Sequence, residues 1–210
     1  MIQERHPWRL KDMTPGAITE RLLERPTLIV PVGTTEQHGP HLPLGCDTII
    51  VERLADDLSE KFGIARTPTV EYGVHATTRP YPGGAALRRR TLHRVMNELI
   101  ESWEEGAGVR EFVILTAQAN DAHLEALSTI RTGVASVVLL DVFGLDFDSL
   151  LTSPEPLAHG GELDTSLLLY LAPELVTGEL LTTASFASAT KGEGLYKFIL
   201  DRLTQRLLNP

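Results

Sequence analysis

The apolar run Thr27-Leu28-Ile29-Val30-Pro31-Val32 empties into a loop punctuated by Gly33, Gly39, Pro40, Pro43 and Gly45. Six residues of that character read as a strand buried on both faces. Pro40 and Pro43 have no amide hydrogen and a fixed φ, so the segment that follows cannot coil into a helix and stays extended. A strand ending in such a loop fans side chains outward from one edge of a sheet. Three of those side chains are Glu36, His38 and Asp47. A carboxylate, an imidazole and a second carboxylate so close in sequence suit a divalent metal, because imidazole favours zinc, iron and manganese and carboxylates favour the harder ions.

The rest of the chain alternates short apolar runs with helical patterns. Thr14-Pro15 reads as an N-cap and first helical residue, opening a helix through Ile18, Leu22 and Leu23. Asp47 stands at the mouth of a helix carrying Ile50, Leu54, Leu58 and Phe62 and stopped by Gly63. Thr67 to Tyr72 reads as a strand, followed by an irregular loop through Pro80-Tyr81-Pro82-Gly83-Gly84. From Thr91, the spacing of Leu92, Val95, Met96, Leu99 and Trp103 predicts an amphipathic helix ending near Gly106 and Gly108. Strands are predicted at Glu111 to Thr116 and Ser136 to Val142, with a helix over Ala122 to Arg131 between them. The last two helices are predicted at Asp164 to Leu171 and Leu195 to Leu208. This order implies βαβ units, hence a three-layer α/β/α sandwich around a mostly parallel sheet, one domain over residues 1–210. Ligands of such sheets bind at the carboxyl ends of the strands. The Glu36/His38/Asp47 loop, the loop after Thr116 and the segment around His159 fall there.

A net charge of −9 argues against a nucleic-acid surface. The one basic run, Arg88-Arg89-Arg90, reads as a solvated turn at a helix start. The single cysteine, Cys46, excludes an internal disulfide and fits a reducing cytoplasm. Beside Asp47 it reads as a small buried hydrophobe rather than a nucleophile. No apolar run reaches about 18 residues, and no charged segment precedes an apolar signal core, so neither a membrane span nor a secretory leader is expected. His6 and His93 read as surface residues, and Trp8 and Trp103 as packing anchors.

A second cluster is His159-Gly160-Gly161-Glu162-Leu163-Asp164-Thr165-Ser166, where Asp164 is expected to open and cap a helix. Together the two clusters resemble the creatininase family of metal-dependent amidohydrolases. The family's Pro-Val-Gly-Ser-Thr-Glu-Gln-His-Gly-Pro-His-Leu-Pro motif is matched at nearly every position by Pro31 to Pro43. Its His-Ala-Gly-Glu-x-Glu-Thr-Ser motif resembles His159 to Ser166, and its Pro-Gly-Thr segment resembles Pro82-Gly83-Gly84. The resemblance covers about Ile29 to Val176. It implies an α/β/α subunit, a homo-hexamer, a small-molecule substrate and a site for two divalent ions (zinc, manganese or iron). Glu36 would bind one ion, His38 the other, and Asp47 would bridge them. His159 would be the proton shuttle to the leaving nitrogen. Two ions about 3.5–4 Å apart generate hydroxide and polarise a carbonyl.

The chain departs from this pattern twice. Gln118 stands where the family's Asn-Gly-His-Gly-Gly-Asn motif has its histidine, and Asp164 replaces a glutamate, one methylene shorter. Three readings stand. One metal is held by His38, Asp47 and Asp164, with Glu36 as partner or base; or two are held, with Gln118, Asp121 or His123 compensating; or the site is degraded and the subunit binds or scaffolds. A helix starting at Asp121 would point His123 away, and one metal ranks above two. His41 reads as structural, Asn120 as a helix cap, Glu162 as either a site-holding or a solvated residue, and His75 and Tyr81 as loop-surface residues by default. The expected activity is hydrolysis of a C–N amide bond in a small cyclic amide, formamide or short peptide, with a non-catalytic subunit and an isomerase or lyase as alternatives.

Overall fold

The computed structural model describes residues 6–75, 81–147, 149–155, 157–178 and 184–208. Among the described residues, six α-helices and four strands follow in the order α1 (Pro15–Glu24), β1 (Thr27–Val32), α2 (Cys46–Phe62), β2 (Ala65–Arg66), α3 (Arg89–Ala107), β3 (Glu111–Thr116), α4 (Asp121–Ser128), β4 (Ser136–Asp141), α5 (Glu162–Leu171) and α6 (Ala189–Leu208). The strands form one sheet in the order β2-β1-β3-β4, every pairing parallel. Parallel neighbours need long crossovers, and helices supply them.

Alternation along the strands divides the core into two layers. Ile29, Val113, Leu115 and Leu140 face α2, α5 and α6. Leu28, Val30, Val32, Phe112 and Ile114 face the side covered by α3 and α4, where Leu92, Met96 and Ile100 carry the buried stripe predicted for α3. Burying each such aliphatic side chain contributes about 1.5–3 kcal/mol. The three-layer α/β/α arrangement is therefore the one expected.

Local signals fix most boundaries. The Thr14 hydroxyl accepts from the Ala17 amide with Pro15 behind it, and Gly63 ends α2 with φ +63°, a left-handed backbone that glycine adopts without strain. The expected strand at Thr67 to Tyr72 is corrected. Regular pairing is confined to Ala65–Arg66: the Thr67 amide still donates to the Ile29 carbonyl at 2.9 Å, but Pro31 of β1 has no amide to return to Thr67, and contact resumes only at the Val32–Val70 bridge. The strand expected to reach Val142 stops at Asp141, and the helix expected to reach Arg131 stops at Ser128. Helix α5 begins at Glu162 and α6 at Ala189, both earlier than predicted. The loop expected around Pro80 lies partly outside the described residues. Arg88 is the N-cap position of α3, as a solvated turn at a helix start requires. Among the described residues no helix is long and apolar enough to cross a membrane.

Candidate metal centre

Register builds the site. Val32 of β1 pairs with Thr116 of β3, and Thr116 pairs with Asp141 of β4, so three loops leave the sheet at one level. The first carries Glu36 and His38, the second Gln118, the third Phe143. Helix α2 begins directly above: a Cβ on Gly33 would stand 2.7 Å from the Thr48 Cα, so the glycine permits a close approach that sets Asp47 over the loop. The Thr34 hydroxyl donates to Asp47 Oδ2, and the Thr48 hydroxyl to the Thr34 carbonyl at 3.1 Å.

Glu36, His38, Asp47, Gln118 and Asp164 are all buried there. The Gln118 amide nitrogen donates to Glu36 Oε2 at 2.8 Å and to Asp47 Oδ2 at 3.1 Å, while its oxygen accepts from the Asn120 amide at 3.1 Å. That orientation is unambiguous, since carboxylates only accept and a backbone amide only donates. Gln118 thus offers hydrogens, not its oxygen, to the two carboxylates.

His38 Nδ1 donates to the Glu36 carbonyl at 3.1 Å, which leaves Nε2 facing Asp47 Oδ1 at 2.9 Å. Burial opposes a charge on this ring, but the bond to Asp47 and the fields of Asp47 and Asp164 outweigh it and raise the His38 pKa to about 9. Burial also pushes the Asp164 carboxyl up, with the His38 imidazolium pulling against it. Asp164 is not the helix-opening cap that its place suggested. Gly161 is the N-cap residue, and Asp164 Oδ2 reaches back to accept from the Gly160 amide at 2.8 Å.

His159 is the most exposed member, its side chain 41% accessible. Its ring centroid lies 4.0 Å from that of His38, its Nε2 lies 3.7 Å from Glu36 Oε1, and the same Nε2 donates to the Gln37 carbonyl. Nδ1 is thereby the basic nitrogen of the neutral ring.

The donor atoms that suit a divalent ion gather around His38, with Asp47 in one group and Asp164 in another. Two groups of donor atoms, His38/Cys46/Asp47 and His38/His159/Asp164, each lie within 4.8 Å and share His38. The bond from Nδ1 to a backbone carbonyl is the arrangement that prepares Nε2 for a metal. An ion there would replace the proton that now joins Nε2 to Asp47. Cys46 is fully buried, and in the metal-free protein that burial pushes its thiol pKa well up. On the Glu36 side, the Gln118 amide group already satisfies both carboxylates.

Neither compensating residue reaches the site. Asp121 is exposed. His123 is buried but accepts from the Val74 amide through Nδ1 at 3.1 Å and meets the Thr116 hydroxyl through Nε2 at 3.0 Å, on the opposite layer. Asn120 caps α4, accepting from the Ala122 and His123 amides. His75, expected on the loop surface, is instead buried with Nδ1 3.5 Å from Glu36 Oε1, whereas Tyr81 is 48% exposed. Glu162 is buried rather than solvated, accepting from the Thr152 and Ser153 amides and from Lys191. Thr34, Phe143, Leu157 and Leu163 escaped sequence reasoning, since isolated hydroxyl and apolar residues carry no local signal.

A cavity of about 160 Å³ opens beside the cluster, lined by the polar His38, Asp47, Gln118, His159 and Asp164 and by the apolar Ala119, Phe143, Leu157 and Leu163. That volume is below the usual range for a whole drug-sized ligand, so it admits a small molecule or the end of a longer one.

The model of the creatininase family, described as creatinine amidohydrolase, matches residues 11–207. Among curated proteins, the mycofactocin precursor peptide peptidase of Mycolicibacterium smegmatis is 34% identical over 176 residues, covering 79% of this chain and 67% of the relative. The 3-dehydro-scyllo-inosose hydrolase of Thermotoga maritima is 28% identical, covering 80% of this chain and 57% of the relative. The creatinine amidohydrolase of Pseudomonas putida is 26% identical, covering 71% and 65%. The chain therefore spans about two thirds or less of the length of these relatives. A solved mutant creatininase complexed with creatine superposes with a TM-score of 0.82 at 21% identity, covering 96% of this chain and 97% of that one, which bears out the fold. By motif, matched length and architecture alike, the chain belongs to the creatininase family of amidohydrolases.

Proposed function

We propose that the protein is a metal-dependent hydrolase that cleaves a C–N amide bond in a small cyclic amide, formamide or short peptide end. The observation that carries this reading is His38, with Nδ1 held by a carbonyl and Nε2 aimed at Asp47 beside Asp164. His38, Asp47 and Asp164 would hold one ion of zinc, manganese or iron. When bound, such an ion supplies a Lewis acid and an acidified water. Solved creatininases described as a manganese form and as a Zn–Zn type support that choice of metals.

Glu36, relieved of ligation, keeps Oε1 toward His75 and His159 and takes the proton of the attacking water. The carbonyl carbon gains the hydroxyl oxygen, the C–N bond breaks, and the proton taken up by Glu36 passes through His159 to the departing nitrogen. Phe143, Leu157 and Leu163 exclude water from that step. A homo-oligomer, a hexamer by family resemblance, and a cytoplasmic setting belong to the same reading.

Elemental analysis of protein purified without added metal tests it. One equivalent of zinc, iron or manganese is expected, lost in Asp47→Ala, and amide substrates should yield products one water heavier in total. Near-zero metal with no activity on metal addition would favour the scaffold reading instead, and products of unchanged total mass would point to an isomerase or lyase.

A further inference from the structure

We infer that His41 is a positioning residue that sets the reach of Asp164 through Thr165 and Gly160. His41 is buried beside the metal-binding loop, yet it contacts none of the candidate ligands. Its Nε2 lies 2.8 Å from the Thr165 hydroxyl oxygen. That hydroxyl donates its one hydrogen to the Gly160 carbonyl at 3.1 Å, so the contact with His41 is an Nε2–H donating to Thr165. Burial lowers the pKa of the ring, and its contact with the Gly160 backbone works against that shift.

Gly160 is the junction of two bonds. Its carbonyl is held by Thr165, and its amide donates to Asp164 Oδ2 at 2.8 Å. Its φ is +68°, and a Cβ there would meet the His38 backbone, with the His38 carbonyl carbon 2.8 Å away. The turn is thus clamped between the loop carrying His38 and the first turn of α5. The His41 carbonyl also accepts from the Thr177 amide at 2.9 Å, so the same residue fastens the segment after α5.

The clamp matters because Asp164 is short. A carboxylate one methylene closer to its backbone can reach an ion only if that backbone is drawn toward His38. The chain His41→Thr165→Gly160 does this, tying residue 41 to residue 160 and leaving Asp164 Oδ1 free to face the cluster. Partners of this kind behind a ligand are worth about 10–100-fold in metal affinity.

The test has two arms, and only the second rests on the metal reading proposed above. In the metal-free protein, hydrogen exchange of the Gly160 amide should quicken at least about tenfold in Thr165→Val and His41→Phe. It should stay near wild type in Thr165→Ser and His41→Gln, which keep a donor. In cobalt titrations followed by visible absorption, Thr165→Val should weaken binding about 10–100-fold, and Thr165→Val/His41→Phe should be no worse than the poorer single variant. Unchanged exchange in a folded Thr165→Val protein overturns the clamp. Faster exchange with unaltered cobalt affinity overturns the positioning role. A wild type that binds no cobalt overturns both the metal reading and the positioning of Asp164 for it, while the exchange arm still decides whether the clamp exists.

Discussion

The Gln118 amide nitrogen sits 2.8 Å from Glu36 Oε2, joining the end of β3 to the end of β1 across 82 positions of sequence. A neutral donor there does for the carboxylate what a cation would otherwise do. It satisfies a buried acceptor, which left alone would cost about 1–3 kcal/mol.

Replacing that donor with a ligand should change the metal count. Gln118→His places an imidazole between Glu36 and Asp47, and metal content measured by elemental analysis is expected to rise from about one equivalent toward two. Asp47→Ala should abolish retention. Identical content in both variants would refute this description of the centre.

His159→Ala separates a proton shuttle from a ligand. Bound metal should be unchanged, because His159 is the half-exposed outer member of the cluster and not one of the three proposed ligands. The turnover rate on an amide substrate should fall about 10²–10⁴-fold, the usual worth of a positioned acid–base group. Loss of metal in this variant would make His159 a ligand instead.

His123 should make stability fall with acid. Burial lowers its pKa from 6.5 to about 4, so the unfolded chain binds a proton that the folded one refuses. Its contribution is full above about pH 6.5, declines as pH falls toward 4, and is flat below. The integrated loss is on the order of 3 kcal/mol. Urea unfolding across this range should show a shallower slope in His123→Gln, which no longer titrates there. Equal slopes would count against a neutral buried ring.

Gly192→Ala should damage the packing of α6 on α5. A Cβ at this position would fall inside the van der Waals surface of the Ser166 carbonyl oxygen and 2.9 Å from the Tyr170 Cβ. Neither contact belongs to a flexible tip, so the helices must separate, at a cost of about 3 kcal/mol. The shift in urea midpoint measures it. A midpoint within experimental error of wild type would mean the helices cross less closely.

Much of this molecule can be read from the chain alone. β1 and β3 fall where apolar runs predict them, Thr14-Pro15 and Gly63 bound helices as their backbone chemistry requires, and Glu36, His38 and Asp47 lie together. These features are local: strand burial, capping and proline geometry act within a few residues, and one loop carries two of the three groups. Pro31 shows the limit even at short range, because its missing amide leaves the Thr67 carbonyl without a ladder partner on β1 and interrupts a run that otherwise reads as a strand.

The encounters that define the site are not local. Whether Gln118 offers oxygen or hydrogen, where His123 and His75 point, and which partner Glu162 takes are set by the parallel register and by which helix packs on which face of the sheet. Composition and periodicity specified the layers and supplied the donor groups. Only the folded arrangement, through contacts between segments tens of residues apart, decided that Glu36 faces an amide while His38 and Asp164 stand together beside the cavity.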